Sequence, residues 1–231
     1  MSQPTGPSAR WGLADRRLYL CTPDRSDLEH FVEACIEGGV DVVQLREKHL
    51  REVELSDRAT LVQRVCADYG VPFVLNDDPA LAASIGADGV HVGQADMDPI
   101  EARRLMGADA IVGLSTHAPI ELDRAMGDGR RGGSGSGVLP VDYVSAGPVS
   151  PTPTKPGRPG TGIDYVRDVA QRAPWTVWVT GGVGPTTVTP LLAAGARHFV
   201  VVRWLTEAPD AKANARALRK IIDDTLESDG R

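Results

Sequence analysis

Residues 150–162, SPTPTKPGRPGTG, combine anion-binding side chains with residues that stiffen a loop. Thr152 and Thr154 carry hydroxyl groups and Lys155 carries an ammonium group, and all three can donate hydrogen bonds to an anion. The prolines between them fix φ and lower the conformational entropy of the unbound loop. The segment therefore predicts a preorganised phosphate-binding loop.

A second group of candidate residues lies at the ends of short apolar runs. Gln44, Arg46 and Lys48 are spaced two residues apart, so on an extended strand they project from one face and suit a polyphosphate. Asp77 and Asp96 follow two later runs and could share a cation, because Mg²⁺ binds through one or two carboxylates together with phosphate oxygens and water. These residues predict a site for a metal-bridged diphosphate. The alternative is that the cations and carboxylates only neutralise one another in salt bridges.

The end of the chain predicts a second anion-binding corner. Gly181 and Gly182 precede a helical segment, and backbone N–H groups at such a position can bind phosphate because no Cβ covers them. Arg203 lies near the end of the last apolar run. The alternative is that the glycines only permit a tight turn. Two phosphate pockets would suit two phosphorylated substrates or one long bisphosphate.

Eight apolar runs alternate with segments of helical period and predict the scaffold that positions these residues. The runs are nearly continuous and rich in Val, as expected of parallel strands covered on both faces. They are RLYLCT, VDVVQLR, PFVLND, GVHVG, AIVGLST, VDYVSAGPV, TVWVTGGV and HFVVVRWL. Helix starts are marked by Asp27, Ser56, Asp78–Pro79, Asp98–Pro99 and Gly184–Pro185.

About eight strand–helix units predict an α/β fold, a single (β/α)₈ TIM barrel, in which the ends of all strands meet at one mouth. The runner-up is an open doubly wound sheet, but the GxGxxG turn typical after its first strand is not present there. Residues 1–16 are predicted to form a flexible N-terminal arm, and the barrel domain spans 17–231. The Gly/Ser-rich stretch at about 127–138 precedes a strand and is interpreted as a flexible connection.

Composition narrows the classes of function. A net charge of −6 without basic runs argues against a general affinity for nucleic acid. No segment approaches the roughly 18 apolar residues of a membrane span, and no signal peptide is evident, so we expect a cytoplasmic protein. Cys21, Cys35 and Cys66 form no CxxC pair, and we interpret them as reduced core thiols.

Several of these segments resemble the thiamine-phosphate synthase family. The matching segments, in the family's order, are VQLREK, ND after the third run, GADGVHVGQADM, GLSTH, GPVSPTPTKPG and TGGV. The resemblance implies a barrel enzyme that condenses 4-amino-5-hydroxymethyl-2-methylpyrimidine diphosphate with 4-methyl-5-(2-phosphoethyl)thiazole. The products would be thiamine monophosphate and pyrophosphate, formed by Mg-assisted diphosphate departure and capture of a pyrimidine-methyl cation.

The resemblance also implies a role for each matching residue. Mg²⁺ would bind Asp77 and Asp96. The thiazole phosphate would bind Thr152, Thr154, Gly182, Val202 and Arg203. The pyrimidine diphosphate would bind Gln44, Arg46, Lys48, Asn76, Ser115 and Lys155. Of these, the candidate catalytic residues are Arg46, Lys48, Ser115 and Lys155.

Two positions depart from the family pattern, and two histidines need separate interpretation. Many relatives have serine at the position of Arg203, where an arginine could bind phosphate bidentately. Asp78, often arginine in relatives, has a sufficient role as a helix N-cap. His117 is interpreted as a residue of the barrel mouth without an assigned role, and His91 as packed or hydrogen-bonded within the structure.

Other functions remain open for the same barrel. A thiazole tautomerase would bind the thiazole phosphate but would not need the diphosphate and metal residues. A non-catalytic sensor of a phosphorylated ligand is the alternative that the sequence excludes least well. A Schiff-base aldolase is disfavoured, because Lys155 lies among anion ligands and not in the apolar surroundings that lower a lysine pKa. Whether copies of the chain form a homo-oligomer is left open.

Overall fold

Eight parallel strands close into a barrel in chain order, with the first strand beside the last. The computed structural model describes residues 11–131, 140–152, 157, 159–228 and 230, with the backbone alone for residues 128–131. The strands are β1 (Leu18–Thr22), β2 (Val42–Leu45), β3 (Phe73–Asn76), β4 (Gly89–Val92), β5 (Ile111–Thr116), β6 (Tyr143–Ala146), β7 (Thr176–Val179) and β8 (His198–Val201). The prediction of a (β/α)₈ barrel is confirmed.

Helices alternate with the strands and cover the outside of the barrel. They are α1 (Leu28–Glu37), α2 (Glu52–Asp68), α3 (Pro79–Ser84), α4 (Pro99–Met106), α5 (Pro119–Arg131), α6 (Gly162–Arg172), α7 (Pro185–Ala193), α8 (Arg203–Thr206) and α9 (Ala211–Ser228). Two predicted N-caps are confirmed, since Asp78 accepts a hydrogen bond from Leu81 N at 2.9 Å and Asp98 accepts one from Ile100 N at 2.8 Å.

One predicted helix start was wrong. Helix α2 begins at Glu52, four residues before the predicted start at Ser56. The Glu54 side chain accepts a hydrogen bond from the backbone N–H of Arg51 at 3.2 Å, and this contact closes the first turn. Because a carboxylate near a helix N-terminus also complements the helix dipole, the acidic residues here outweigh the later serine as a start signal.

The strands alternate between an outer apolar layer under the helices and an inner layer that fills the barrel. On β1, Leu18 and Leu20 face outward, whereas Tyr19 faces inward. We call the inner cluster the barrel floor; its members are Leu13, Tyr19, Val42, Val74, Ile111, Tyr143 and Trp178. This cluster fills the lower half of the barrel, and the upper half is left for the polar side chains of the strand ends.

The described part of the predicted arm belongs to the fold. Residues Leu13–Asp15 form a 3₁₀ turn, and Leu13 is buried within the barrel floor, beside the side chains of the strands. The guanidinium of Arg16 donates hydrogen bonds to the carbonyl oxygens of Trp11 and Asp41, at 2.7 and 2.5 Å. Residues 11–16 therefore close the lower end of the barrel and do not form a separate arm. Residues 1–10 of the predicted arm lie outside the described residues.

The predicted connection at 127–138 is helical in its first part. Helix α5 continues to Arg131, and residues 132–138 lie outside the described residues. The three cysteines are buried thiols of the core, as predicted, and burial raises the pKa of the Cys35 thiol to about 12. Among the helices that the structure describes, none has the length and apolar character needed to cross a bilayer.

A partly buried histidine at the lower end of the barrel should make stability depend on pH. The Nδ1 atom of His198 lies 2.6 Å from the carbonyl oxygen of Arg16, and its ring packs on Trp178 with the ring centres 5.3 Å apart. Burial lowers the pKa of His198 to about 4 from an ordinary value of 6.5. The folded chain thus excludes a proton that the unfolded chain binds below pH 6.5.

We expect the free energy of unfolding to decrease as the pH falls from about 6.5 to about 4, and a shift of this size can contribute about 3 kcal/mol. Urea unfolding at several pH values should show that His198→Gln loses part of this dependence. His30→Gln is the matched control, because the His30 side chain is 86% exposed. The same pH dependence in wild type and His198→Gln would contradict the prediction.

Candidate active site

The strand ends open into one cavity of about 840 Å³. This volume lies within the range of small-molecule sites in proteins, roughly 300–1,000 Å³. The structure brings every predicted site residue that it describes to this cavity. They are Gln44, Arg46, Lys48, Asn76, Asp77, Asp96, Ser115, Thr152, Gly182, Val202 and Arg203. Thr154 and Lys155 lie outside the described residues.

An acidic pair and a lysine form one corner of the cavity. The Lys48 Nζ atom lies 2.9 Å from Asp77 Oδ2, and Asp96 accepts a hydrogen bond from the backbone N–H of Gly93 at 2.7 Å. Burial, and to a smaller extent the nearby Asp96 carboxylate, raises the pKa of Asp77, although the Lys48 ammonium opposes this shift. Two carboxylates and one ammonium leave this corner with a net negative charge.

The backbone of Asp77 is held in an uncommon conformation. Its φ is +68°, and its N–H donates to the carbonyl oxygen of His91 at 2.8 Å. Left-handed backbone is unfavourable for most residues with a side chain, and such residues cluster at functional sites. The hydrogen bond to β4 holds the carboxylate at the strand end, beside the residue that follows the next strand, Asp96.

The predicted salt-bridge alternative is present in part. The ion pair between Lys48 and Asp77 is partly exposed, with 49% and 29% of the side-chain surfaces accessible. Pairs of this kind contribute about 0–1 kcal/mol, so stability alone does not account for two adjacent carboxylates. Within the described residues, no three acidic, histidine or cysteine side chains converge as metal ligands.

The wall of the cavity carries polar side chains that are buried and hydrogen-bonded. Gln44 donates through Nε2 to the hydroxyl of Tyr19 at 2.9 Å and accepts through Oε1 from Cys21 Sγ at 3.2 Å. Ser115 Oγ lies 2.9 Å from His91 Nε2. The prediction that His91 is hydrogen-bonded within the structure is confirmed, and its partner is itself a predicted site residue.

Tyr19 and Tyr143 line the cavity although neither was predicted from the sequence. The Tyr143 hydroxyl lies 3.0 Å from the Tyr19 hydroxyl and 2.9 Å from His91 Nδ1. Burial raises the pKa of both tyrosines, so both remain neutral phenols near neutral pH. The spacing along the strands could have indicated this position. Tyr143 lies two residues from Ser145 on β6, and Tyr19 lies two residues from Cys21 on β1. Alternate strand residues point to the same face.

Gly181 and Gly182, which we call the glycine corner, lie between the end of β7 and the start of α7. Gly181 and Gly182 have φ values of +97° and +77°, which favour glycine. A Cβ at Gly181 would lie 2.5 Å from Pro148 Cα, so the two loops can approach this closely only without a side chain there. The carbonyl oxygen of Gly182 accepts a hydrogen bond from Thr187 Oγ1 at 2.8 Å, which ties the turn to α7.

The predicted last strand was too long. Strand β8 ends at Val201, and Arg203 is the first residue of the short helix α8. The RWL segment therefore turns away from the sheet, and Arg203 stands at the mouth beside the glycine corner. Trp204 and Asn214 also line the cavity and exchange two hydrogen bonds, at 3.3 and 3.0 Å. Asn214 could not be predicted from any local signal, because it lies on the C-terminal helix.

His117 lines the cavity as predicted but is held by a neighbouring helix. Its Nδ1 atom and its backbone N–H lie 2.9 and 2.6 Å from Glu121 Oε2. Glu121 is in the first turn of α5, so this contact fixes how that helix begins. The contact gives His117 a structural role at the mouth.

Comparison with known proteins agrees with this geometry. A family model described as thiamine monophosphate synthase matches residues 18–205. The chain belongs to the thiamine monophosphate synthase family. This membership confirms the resemblance predicted from the sequence motifs.

Members of the thiamine monophosphate synthase family match almost the whole chain. The thiamine-phosphate synthase of Thermus thermophilus is 47% identical over 215 residues, covering 88% of this chain and 96% of that protein. The thiamine-phosphate synthase of Streptomyces avermitilis is 40% identical and covers 92% and 96%. The solved structure of thiamine phosphate pyrophosphorylase from Pyrococcus furiosus has a TM-score of 0.77 at 25% identity, covering 91% of this chain and 96% of that one.

Proposed function

We propose that this chain joins 4-amino-5-hydroxymethyl-2-methylpyrimidine diphosphate to 4-methyl-5-(2-phosphoethyl)thiazole, forming thiamine monophosphate and pyrophosphate. The proposal depends above all on one observation, the convergence of three groups in a single cavity. These groups are the cations and polar side chains of β2 and β5, the carboxylate pair, and the glycine corner. The first two suit a diphosphate, and the third suits a monophosphate.

The acidic corner supports Mg²⁺ as a cofactor. Asp77 and Asp96 provide two oxygen ligands, and the absence of a third acidic ligand among the described residues fits a cation that completes its shell with phosphate oxygens and water. The net negative charge of the corner points the same way. When bound, Mg²⁺ would neutralise charge on the diphosphate.

The residues of the cavity can carry out the substitution without a base. The C–O bond to the diphosphate breaks and its electron pair leaves with the diphosphate, and the thiazole nitrogen then donates its lone pair to form the C–N bond. Arg46 and Lys48 line the cavity where the departing charge would develop. One preorganised group of this kind typically stabilises a transition state by about 3 kcal/mol. Lys155, outside the described residues, stays a prediction in the same role.

The glycine corner would hold the second substrate. Gly182, Val202 and Arg203 lie together at the edge of the cavity, with Thr152 on the facing loop. A phosphate bound there would leave the thiazole ring in the same cavity as the pyrimidine, and such orientation removes much of the entropic cost of a two-substrate reaction. Thr154, outside the described residues, stays a prediction in the same role.

The cytoplasmic location and any homo-oligomer also remain predictions.

The tautomerase and the sensor have no comparable support. A thiazole tautomerase has no use for the acidic corner beside Lys48, and the relatives are named as synthases. A sensor would also use cations to bind a phosphorylated ligand, so the names of the relatives are what favour the synthase over the sensor.

The proposed function can be tested by mixing the purified chain with both substrates and MgCl₂. Thiamine monophosphate and pyrophosphate should form in equal amounts, and excess EDTA should stop both. Binding of either substrate without product formation would contradict the proposal and favour the sensor.

Gly182→Ala should selectively weaken binding of the second substrate, the thiazole phosphate. Alanine is strained at a φ of +77°, so the turn would shift, although its Cβ would make only an ordinary contact with Ser150 Cβ at 3.4 Å. We expect the KM for the thiazole phosphate to rise about tenfold, equivalent to about 1.4 kcal/mol, with little change in KM for the pyrimidine diphosphate. Steady-state kinetics with each substrate varied in turn measures this.

Gly86→Ala is the matched control for backbone strain. Gly86 has a φ of +69° and does not line the cavity, and a Cβ at this position would have no heavy atom within 4 Å. The substitution should change both KM values little. A similar rise in both KM values of Gly182→Ala would contradict a role confined to the thiazole phosphate.

A further inference from the structure

A chain of buried hydrogen bonds crosses the barrel and connects two of the predicted substrate-binding residues. At one end Gln44 Nε2 donates to the Tyr19 hydroxyl at 2.9 Å, and at the other end Ser115 Oγ lies 2.9 Å from His91 Nε2. Tyr143 joins the halves, since its hydroxyl lies 3.0 Å from that of Tyr19 and 2.9 Å from His91 Nδ1. We call Tyr19, Tyr143 and His91 the interior relay.

The available partners determine the direction of each proton in the interior relay. The amide nitrogen of Gln44 can only donate, so the Tyr19 oxygen accepts, and the Tyr19 proton then goes to Tyr143, its other partner among the described residues. The Tyr143 proton goes to His91 Nδ1. A neutral His91 must then carry its own proton on Nε2, from which it donates to Ser115.

The reverse direction leaves a buried donor without an acceptor. If Tyr143 donated to Tyr19, the Tyr19 oxygen would accept two hydrogen bonds, and the Tyr19 proton would have no acceptor within the described part of the chain. Both tyrosines are almost completely buried, and an unsatisfied buried donor pays its full desolvation penalty. The first direction satisfies every hydroxyl of the interior relay.

This proton order determines which way the Ser115 hydroxyl can donate. Its Oγ accepts from His91 Nε2 at 2.9 Å, and the Ser145 hydroxyl is directed at it from 3.5 Å. Its own proton then points away from these two donors. Ser115 lines the cavity, so this proton is available to a ligand.

A glycine makes the interior relay possible. In the sheet register Gly113 of β5 lies beside both His91 and Tyr143. A Cβ at Gly113 would clash with Cζ of Tyr143, so any other residue would displace the tyrosine ring. The missing side chain lets Tyr143 reach across to His91, whose ring it stacks on at 16° between planes.

We propose that Tyr19, Tyr143 and His91 are positioning residues that keep Ser115 as a hydrogen-bond donor toward the cavity, for an acceptor atom of the pyrimidine diphosphate. The inference rests on the proposed function for the identity of that ligand. The interior relay consists of protein side chains alone, so its proton order can be measured separately from activity.

A double-mutant cycle tests the connection between the interior relay and Ser115. Tyr143→Phe removes one hydroxyl and keeps the ring, and it should lower kcat about tenfold with the KM for the thiazole phosphate unchanged. Ser115→Ala should lower kcat at least as much. Because both changes remove the same donor, the double variant Ser115→Ala/Tyr143→Phe should be no worse than Ser115→Ala alone. Independent, multiplying losses would overturn the proposal.

Tyr165→Phe is the matched control for removing a largely buried hydroxyl. Tyr165 donates to the carbonyl oxygen of Ala118 at 3.2 Å and does not line the cavity. It should leave kcat within twofold of wild type. A loss as large as that of Tyr143→Phe would show that any lost buried hydroxyl lowers activity, and would overturn the assignment.

The proton order can be read by NMR on ¹⁵N-histidine-labelled protein without any substrate. His91→Gln assigns the signal, and the His91 ring should be neutral with its proton on Nε2. In Tyr143→Phe, Nδ1 loses its donor, so its ¹⁵N shift should change while the Tyr165→Phe spectrum stays as in wild type. A proton on Nδ1 in wild type would overturn the proposal even if the chain makes thiamine monophosphate. Conversely, the expected tautomer in a chain that makes no product would refute the proposed function and leave the interior relay standing.

Discussion

Asp77→Asn and Asp96→Asn should each lower kcat about 10²- to 10³-fold, the effect typical of removing one group that stabilises developing charge. Each substitution removes a negative charge from the corner that we propose for Mg²⁺ and keeps the shape of the side chain. The fold should survive, because asparagine tolerates the left-handed backbone at Asp77 and can accept the hydrogen bond that Gly93 donates to Asp96. Steady-state rates over a range of MgCl₂ concentrations measure the loss of kcat, and thermal unfolding measures whether the fold survives.

Asp98→Asn is the matched control for these variants. Asp98 is two residues from Asp96, caps α4 through Ile100 N and does not line the cavity, and asparagine is an equally good cap. Its kcat and its response to Mg²⁺ should equal those of wild type. Wild-type rates for Asp77→Asn and Asp96→Asn at limiting Mg²⁺ would remove these carboxylates from the metal site.

Arg103→Met should lower the free energy of unfolding by about 3–5 kcal/mol, as expected when one partner of a buried ion pair is removed. Arg103 Nη2 lies 2.5 Å from Asp142 Oδ2, and both side chains are less than 10% exposed. Arg103 also donates to the carbonyl oxygen of Gly107 at 3.1 Å, and Asp142 accepts from Val112 N at 2.8 Å. Burial already raises the pKa of Asp142, so without arginine its charge would be poorly compensated.

Arg104→Met provides the comparison on the same helix. Its ion pair with Glu101 is exposed, with 72% and 49% of the side-chain surfaces accessible, so the loss should stay below about 1 kcal/mol. Urea unfolding of both variants gives the two values. An equal decrease in the free energy of unfolding of both variants would show that the Arg103–Asp142 pair is not more stabilising because it is buried.

Much of the scaffold follows from the sequence because its signals are local. A Val-rich run such as VDVVQLR is typical of a strand covered on both faces, and Asp98–Pro99 marks a helix start through one side-chain hydrogen bond and one fixed φ. Once the strands are known, the barrel topology places their ends at one mouth. For this reason the gathering of Arg46, Asp77 and Asp96 in one cavity was predictable.

The remaining features depend on contacts between distant strands. The alternation along β1 and β6 could have placed Tyr19 and Tyr143 on the inner face of the barrel. Nothing near either one in the sequence shows that their hydroxyls, 124 positions apart in the chain, lie within hydrogen-bond distance. The bend after Val201 was missed for a similar reason. The RWL segment is apolar enough for a strand, and only its packing, with Leu205 buried and Trp204 bonded to Asn214, makes it a helix.

The barrel floor makes the cavity a well with a closed bottom. Leu13, Ile111 and Trp178 are almost completely buried beneath it, so within the described structure molecules exchange past the rim alone. Two substrates and two products must therefore share one passage. The molecule that binds deeper has to enter first and leave last, so we expect an ordered kinetic mechanism. The product that binds nearer the rim should inhibit the enzyme when it accumulates, because it blocks this passage.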